Sequence, residues 1–249
     1  MPRSPTKVLV VGATSAIAQE TSRLFAAYGA HLFLTGRDGD KLSSLEQDLK
    51  LRGAAQVESA ILDVADLARH GAVIDAAFVA LRSVDVALIA HGVLPDQEKC
   101  KEDATAALEA LTVNFTATVA LLTPLANRLE AQGRGCLAVI GSVAGDRGRQ
   151  SNYVYGASKG GLDRFLQGLR NRLYRSGVHV VTIKPGFVDT PMTASKPKSG
   201  LYASPVRVAR GIHRAIESRR NVVYLPWFWR PIMCVVTSIP ESVFKRLRL

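Results

Sequence analysis

The stretch Val8-Leu-Val-Val-Gly-Ala-Thr-Ser-Ala-Ile-Ala18 decides the fold of this chain. Its first four residues form a short apolar run that predicts a buried strand, and a helical pattern follows from Ala16 to Tyr28. A glycine between them permits a tight turn that leaves the first N–H groups of the helix free. These N–H groups and the helix dipole both attract negative charge, which is how such turns bind the pyrophosphate of a dinucleotide. The predicted binding residues of this turn are Gly12, Thr14, Ser15, Ala16 and Ile17.

Strand and helix patterns alternate along the rest of the chain. Seven short runs rich in Val, Ile and Leu predict strands at Lys7–Val11, His31–Thr35, Val57–Leu62, Asp85–Ile89, Leu137–Ile140, His179–Ile183 and Val222–Leu225. Helical patterns occupy Ala16–Tyr28, Lys41–Lys50, Leu67–Phe78, Thr105–Gln132, Tyr153–Ser176 and Ser204–Glu217. We therefore predict an α/β fold: a Rossmann-like, doubly wound, parallel seven-stranded sheet with helices on both faces. No linker-like stretch interrupts the pattern, so residues 1–249 are expected to form a single domain.

Composition narrows the class of protein. The chain has 249 residues, of which 47% are hydrophobic and 21% charged, as in a globular protein with a substantial core. Its three cysteines are far apart and its five histidines have no ligand spacing, so we predict no structural metal and a reducing, cytoplasmic compartment. The N-terminal apolar run is too short for the core of a signal peptide.

Positive charge is concentrated at the C-terminus. The net charge is +11, and from Arg219 onward six basic residues face one acid, Glu241. Residues 224–249 also contain Trp227 and an apolar run to Val236, but two prolines and an arginine make a membrane span improbable. We interpret this segment as a surface-lying anchor for an anionic membrane, a hydrophobic lid over the substrate, or a subunit contact. No nucleic-acid recognition motif accompanies the charge, so we expect no nucleic-acid partner.

The end of the second predicted strand bears on the choice of cofactor. An NAD-specific site usually has a carboxylate there to bind the ribose hydroxyls, whereas this strand ends on Gly36 and is followed by Arg37. A guanidinium suits a 2′-phosphate and stacks on adenine. This pattern favours NADP(H), with NAD(H) as the alternative.

A second motif indicates catalysis. Tyr155 and Lys159 are four residues apart and share one helix face, Ser142 lies 13 residues before Tyr155, and Asn114 lies on an earlier helix. These residues, with the turn at Gly12, resemble the Asn–Ser–Tyr–Lys constellation and the G-x-x-x-G-x-G fingerprint of the short-chain dehydrogenase/reductase family. The chain departs from the fingerprint because alanines occupy its second and third glycine positions.

The resemblance implies a role for each residue. Tyr155 would exchange a proton with the substrate oxygen, Lys159 would bind the nicotinamide ribose, Ser142 would hold the substrate oxygen, and Asn114 would support a relay water. The remaining cofactor contacts that it implies are Asp63, Val64, Ala90, His91, Gly92, Pro185, Gly186, Val188 and Thr190. A lid is expected at residues 190–204, where Lys196 and Lys198 would meet a substrate phosphate. The resemblance also implies a homodimer or homotetramer.

Proton transfer needs a phenol that ionises near neutral pH. Lowering the pKa of a tyrosine from about 10 to about 7 requires about 4 kcal/mol. One ammonium about 4 Å away supplies roughly that amount at an effective dielectric constant of about 20. We therefore predict that Lys159 lowers the pKa of Tyr155.

The second half of the chain suggests a substrate. The segment from Asn152 to Phe165 and the ending Ile239-Pro-Glu-Ser-Val-Phe-Lys-Arg-Leu resemble the reductases of decaprenylphosphoryl-2-ketoribose. This resemblance implies a keto-sugar on a polyprenyl phosphate, a partner oxidase, and a position at the inner face of the membrane. Two alternatives remain open: a general NADP(H)-dependent reductase of soluble ketones or 3-oxoacyl groups, and a non-catalytic dinucleotide-sensing protein.

Overall fold

A computed structural model describes residues 5–194 and 199–247, and its centre is a seven-stranded sheet. Every pairing between neighbouring strands is parallel, in the order β3-β2-β1-β4-β5-β6-β7. The strands β1 to β7 are Lys7–Val11, His31–Gly36, Gln56–Ile61, Val86–Ile89, Gly135–Ile140, Val178–Pro185 and Val222–Leu225. The predicted fold class is confirmed.

The helices connect the strands and cover both faces of the sheet. In chain order α1 to α10 are Ala16–Ala27, Gly39–Leu51, His70–Leu81, Gln97–Glu102, Ala104–Leu111, Ala117–Gln132, Tyr153–Leu173, Pro205–Glu217, Trp229–Ser238 and Glu241–Phe244. The six predicted helical regions are present, but the region predicted at 105–132 is not one regular helix. A π-helical segment, Thr112–Thr116, separates α5 from α6. The sequence patterns did not predict α4, α9 or α10.

Both faces of the sheet are buried, which explains why its strands show little alternation of polar and apolar residues. On β1, Val8 and Val10 belong to the core under α1, α2 and α8, whereas Leu9 and Val11 belong to the core under α3, α6 and α7. A strand with apolar neighbours on both sides has no solvent face on which polar residues are favoured.

The strand order reverses between β1 and β4, since β1 continues to β2 on one side and β4 to β5 on the other. The connections from these two strands leave on opposite faces, and a crevice opens at their carboxyl ends. This crevice receives the turn after β1, the Gly92 region after β4 and the Ser142 region after β5.

By length and composition alone, the helical stretch Ala104–Gln132 is apolar enough to cross a membrane. In this fold its second half, α6, packs against the sheet through Leu121, Leu122, Leu125 and Leu129. The apolar composition of α6 is therefore explained by the core.

Candidate active site

The turn after β1 has the geometry of an anion-binding loop. Gly12 has a φ of 77°, and a Cβ on it would lie 2.6 Å from the backbone nitrogen of His91. The Ser15 hydroxyl caps α1 by accepting from the amide of Ala18 at 3.2 Å, and Ala16 is the first helical residue. Glycine at position 12 therefore lets the turn pack against the chain after β4, and the N-terminus of α1 lines the cleft.

The crevice is a single cleft of about 1,110 Å³ that extends from this turn to the catalytic residues. It brings together every cofactor residue predicted from the sequence: Gly12, Thr14, Ser15, Ala16, Ile17, Arg37, Asp63, Val64, Ala90, His91, Gly92, Tyr155, Lys159, Pro185, Gly186, Val188 and Thr190. Residues from six loops converge because the carboxyl ends of parallel strands share one edge of the sheet.

At the adenosine end of the cleft, Arg37 is exposed and lines the wall. The neighbouring carboxylate of Asp38 is already engaged, because it caps α2 through the amide of Lys41 at 3.0 Å and pairs with the Lys41 ammonium at 3.0 Å. Arg37 is therefore the charged group at this strand end that is available to a ligand.

At the other end of the cleft, the residues predicted to be catalytic come from two elements. Tyr155 and Lys159 lie on α7, and Ser142 follows β5, where its hydroxyl accepts from the amide of Ala144 at 3.1 Å. The Lys159 Nζ atom donates to the carbonyl of Ile140 at 3.1 Å and lies 5.8 Å from the centroid of the Tyr155 ring.

Asn114 lies behind the cleft, since it is almost fully buried and does not line the cleft wall. It lies in the π-helical segment and reaches the chain after β4. There its side-chain oxygen accepts from the Val93 amide at 2.8 Å and its nitrogen donates to the Val93 carbonyl at 2.9 Å. A Cβ on Gly92 would lie 3.0 Å from the Asn114 oxygen and 3.5 Å from the Lys159 Nζ atom. Both groups therefore lie close to the backbone of Gly92.

The ionisation of the catalytic pair differs from the prediction. Burial raises the pKa of the Tyr155 phenol, and a hydrogen bond with Ser142 acts in the opposite direction. Burial lowers the pKa of Lys159 to about 8. Burial outweighs the hydrogen bond with Ser142, so the pKa of the phenol is raised although the Lys159 Nζ atom lies 5.8 Å from the ring centroid. The predicted net lowering of this pKa by Lys159 is therefore not found.

His91 stays neutral between the two ends of the cleft. Burial lowers its pKa to about 3, with further contributions from the charges of Lys159 and His70. Its Nε2 atom and the Thr118 hydroxyl are 2.9 Å apart, and this hydrogen bond fixes the orientation of the ring.

A buried charge network, which sequence reasoning missed, joins the catalytic segments. The Lys184 ammonium, on β6, donates to Asp146 at 2.6 Å and to Asp163 at 3.1 Å, and the Tyr224 hydroxyl donates to Asp146 at 2.9 Å. Asp146 lies four residues after Ser142, and Asp163 lies one helical turn beyond Lys159. The network therefore links the loop that carries the serine to the helix that carries the tyrosine.

The C-terminal segment closes against the same region. A Cβ on Gly186 would overlap the buried Trp229 indole of α9, and Trp229 also contacts Phe187 edge to face at 5.0 Å. Arg147, in the loop after Ser142, donates to the Val236 carbonyl at 3.0 Å and pairs with Glu241 at 2.9 Å. Residues of α9 and α10 therefore contact the loop that follows Ser142.

Two further predictions concern the lid lysines and a structural metal. Lys196 and Lys198 of the predicted lid lie outside the described residues. Within residues 5–194 and 199–247, no group of three or more His, Cys, Asp or Glu side chains is arranged to hold a metal ion.

Comparisons with known proteins agree with this geometry. Residues 6–200 match the short chain dehydrogenase family model. An uncharacterized oxidoreductase of Mycobacterium tuberculosis is 37% identical over 240 residues, with 96% of each chain covered. One from Streptomyces coelicolor is 34% identical over 244 residues, covering 98% of this chain and 96% of the relative. The crystal structure of levodione reductase has the same fold, with a TM-score of 0.82 and 21% identity over 90% of this chain and 97% of that one.

The fold and cleft thus define a dinucleotide-binding α/β protein of the oxidoreductase class. The chain belongs to the short-chain dehydrogenase family, whose members use NAD(P)(H).

Proposed function

We propose that this protein reduces a ketone to an alcohol with NADPH, using Ser142, Tyr155 and Lys159. The observation that carries this proposal is that these three residues line the same cleft as the turn at Gly12. The cofactor would lie along the turn with its adenosine near Arg37, and when bound it supplies the hydride. The backbone amides of Thr14, Ala16 and Ile17, which have no hydrogen-bond partner among the described residues, line the cleft and fit such a group.

The protein's own residues perform the proton chemistry in this proposal. The Ser142 hydroxyl and the Tyr155 phenol both bind the substrate oxygen, and the phenol donates its proton as negative charge develops there. Because the pKa of the phenol is raised by burial, it is fully protonated at neutral pH and ready to act as an acid. Lys159 would bind the ribose of the cofactor. Its ammonium suits this role because it lies in the cleft beside Gly92 and is held there by the Ile140 carbonyl at 3.1 Å.

A pair of tyrosines on α7 tests this mechanism. Tyr155→Phe removes only the proton donor, so turnover should fall by about 100-fold or more while NADPH binding is retained. Tyr153→Phe is the matched control, because Tyr153 lies on the same helix but is exposed and outside the cleft. The measurements are NADPH fluorescence for binding and NADPH oxidation for turnover. Loss of turnover in both variants, or in neither, would refute the assignment of Tyr155.

The preference for NADPH is a separate proposal that rests on Arg37 and on the engagement of Asp38 in the α2 cap. Replacing Arg37 with Glu should weaken NADPH binding by about tenfold or more, since a charge-assisted bond is lost and repulsion is added. NADH binding should change little. Tighter binding of NADH than NADPH by the unmodified protein would contradict this preference.

For the substrate we propose a keto-sugar on a polyprenyl phosphate, supplied by a partner oxidase at the inner face of the membrane. Support comes from two exposed apolar side chains that line the cleft, Phe187 and Met192, and from Trp227 in the C-terminal segment, which is 73% exposed. The second candidate, a general reductase of soluble ketones or 3-oxoacyl groups, is supported by the family alone.

A direct comparison of substrates decides between the two candidates. NADPH oxidation is measured with a prenylphosphoryl ketopentose, with a truncated lipid analogue, and with simple ketones and 3-oxoacyl esters. The lipid-linked substrate should have the highest kcat/KM, and truncation should lower kcat because remote binding energy orients the carbonyl. Equal efficiency with simple ketones would favour the general reductase.

A further inference from the structure

Three buried polar groups on the substrate side of the cleft lack hydrogen-bond partners among the described residues. They are the side-chain Nε2 atom of Gln97, the Nε atom of Arg149 and the side-chain oxygen of Asn152. All three residues line the cleft together with Ser142 and Tyr155. Buried polar atoms are nearly always hydrogen-bonded, so three unpaired ones in one cleft indicate that a ligand supplies the partners.

The fold holds these groups in place independently of any ligand. Gln97 is the first residue of α4 and is only 9% exposed, and its Oε1 atom accepts from the backbone amide of Val154 at 3.1 Å. That bond fixes the side chain and leaves its NH₂ group free. Asn152 immediately precedes α7 and lies three residues before Tyr155, so both side chains lie near the first turn of the helix.

Arg149 brings a positive charge without an acidic partner. No carboxylate among the described residues lies within salt-bridge distance of it, whereas Arg147, two residues earlier, pairs with Glu241. Burial alone lowers the pKa of Arg149, with no contribution from a neighbouring acid. The Arg149 side chain is partly buried and its Nε atom is fully buried, so this unpaired guanidinium gains charge-assisted hydrogen bonds when an anion binds.

We propose that Gln97, Arg149 and Asn152 form a subsite for an anionic oxygen group, a phosphate ester or a carboxylate, on the carbonyl substrate. This inference rests on the proposed function, because it places the anion beside a carbonyl held by Ser142 and Tyr155. Arg149 binds the anionic oxygens, the Gln97 NH₂ group donates a further hydrogen bond, and the Asn152 oxygen accepts from a hydroxyl of the substrate.

The cleft also presents apolar side chains, since Val143, Phe187 and Met192 line it as well. A substrate that carries both an anionic group and an apolar group uses both kinds of contact. A neutral, wholly apolar ketone would leave three buried polar groups unpaired, which costs binding free energy.

The test measures binding without turnover. Tyr155→Phe protein saturated with NADPH is titrated calorimetrically with dihydroxyacetone phosphate and dihydroxyacetone, and with levulinate and its methyl ester. Each anionic ketone should bind at least about tenfold more tightly than its neutral partner. The two pairs distinguish a phosphate from a carboxylate subsite.

Variants of two arginines test whether the preference for anionic ketones arises at this subsite. Arg149→Met should reduce binding of the preferred anionic ketone by about 10- to 100-fold and that of its neutral partner by less than about threefold. Arg149→Lys keeps the charge but loses the planar fork, so it should be intermediate. Arg210→Met is the matched control, since it removes the same charge from the exposed surface of α8, outside the cleft.

The outcomes separate this inference from the proposed function. Equal binding of anionic and neutral ketones, or equal effects of Arg149→Met and Arg210→Met, would overturn the subsite even if ketones are reduced normally. Failure of the protein to bind NADPH would overturn the proposed function, and the same titrations without cofactor would still report whether Arg149 binds the anion.

Discussion

Replacement of Lys159 by methionine should make the cofactor-free protein more stable while abolishing its activity. The Lys159 side chain is 4% exposed, and burial lowers its pKa from an ordinary 10.5 to about 8. It forms no ion pair among the described residues, and its ammonium donates a hydrogen bond to the Ile140 carbonyl at 3.1 Å. At neutral pH the fold therefore holds a largely charged ammonium at a site that disfavours charge.

The size and the sign of the effect follow from this pKa. A fall from 10.5 to about 8 corresponds to about 3 kcal/mol of lost stability when the lysine is charged. The hydrogen bond to Ile140 returns about 1 kcal/mol, so Lys159→Met should gain about 2 kcal/mol at pH 7. The cost applies fully below pH 8 and disappears toward pH 10.5, because over that interval the unfolded chain binds the proton and the folded chain does not.

Urea denaturation at several pH values measures this difference, and the other buried lysine provides the contrast. The Lys184 ammonium is also buried, which lowers its pKa, but hydrogen bonds and charges from Asp146 and Asp163 outweigh burial and raise the pKa. The stabilisation of the fold by the charged Lys184 is therefore complete below pH 10.5 and is lost only at higher pH. Lys184→Met leaves two buried carboxylates without their cation and should destabilise the protein by about 3–5 kcal/mol.

The two variants thus have opposite expected signs. If Lys159→Met is less stable than the unmodified protein at pH 7, or if its advantage does not shrink between pH 8 and pH 10.5, the argument from burial is refuted. A confirmed gain would mean that Lys159 is retained for catalysis at the expense of stability.

Three further predictions concern the serine, the turn and the C-terminal segment. Ser142→Ala removes the hydroxyl that lowers the phenol's pKa, so the pH profile of kcat/KM for alcohol oxidation with NADP⁺ should move to higher pH; an unchanged profile contradicts this role. Gly12→Ala, with φ of 77° and an added Cβ 2.6 Å from a backbone nitrogen, should lower stability in urea by at least about 1–2 kcal/mol, whereas Gly71→Ala in α3, which has open space, should not. In vesicle flotation the protein should bind anionic more than neutral lipid, and Trp227→Ser should weaken binding; equal recovery from both lipids would exclude electrostatic docking.

The candidate catalytic residues could be located in the sequence because the pattern that marks them is a local spacing. Tyr155 and Lys159 share a helix face whenever that helix forms, and Ser142 and Gly12 follow apolar runs that can only be buried strands in a doubly wound sheet. The parallel sheet then brings these separate strand ends to one cleft.

The elements that patterns missed lack such local signals. Helix α4 is short and mostly polar, and α9 begins with a tryptophan and contains a proline at its third position. The α9 helix depends on its packing, since Trp229 and Met233 bury against Val143 at the edge of the sheet. Tertiary contact outweighs the weak intrinsic preference of such segments.

By itself the sequence determined the class of fold, and it located the candidate residues for dinucleotide binding and for proton transfer. Only the tertiary structure decided which charges are paired. In the sequence Lys159 and Lys184 are both lysines, and Arg147 and Arg149 are both arginines in one loop. Distant residues distinguish them, since Lys184 meets Asp146 and Asp163, and Arg147 meets Glu241, while Lys159 and Arg149 face the cleft without an acid among the described residues. The physical reason is that the free energy of a buried charge depends on the groups that surround it in space, and those groups come from parts of the chain that spacing along the sequence does not bring together.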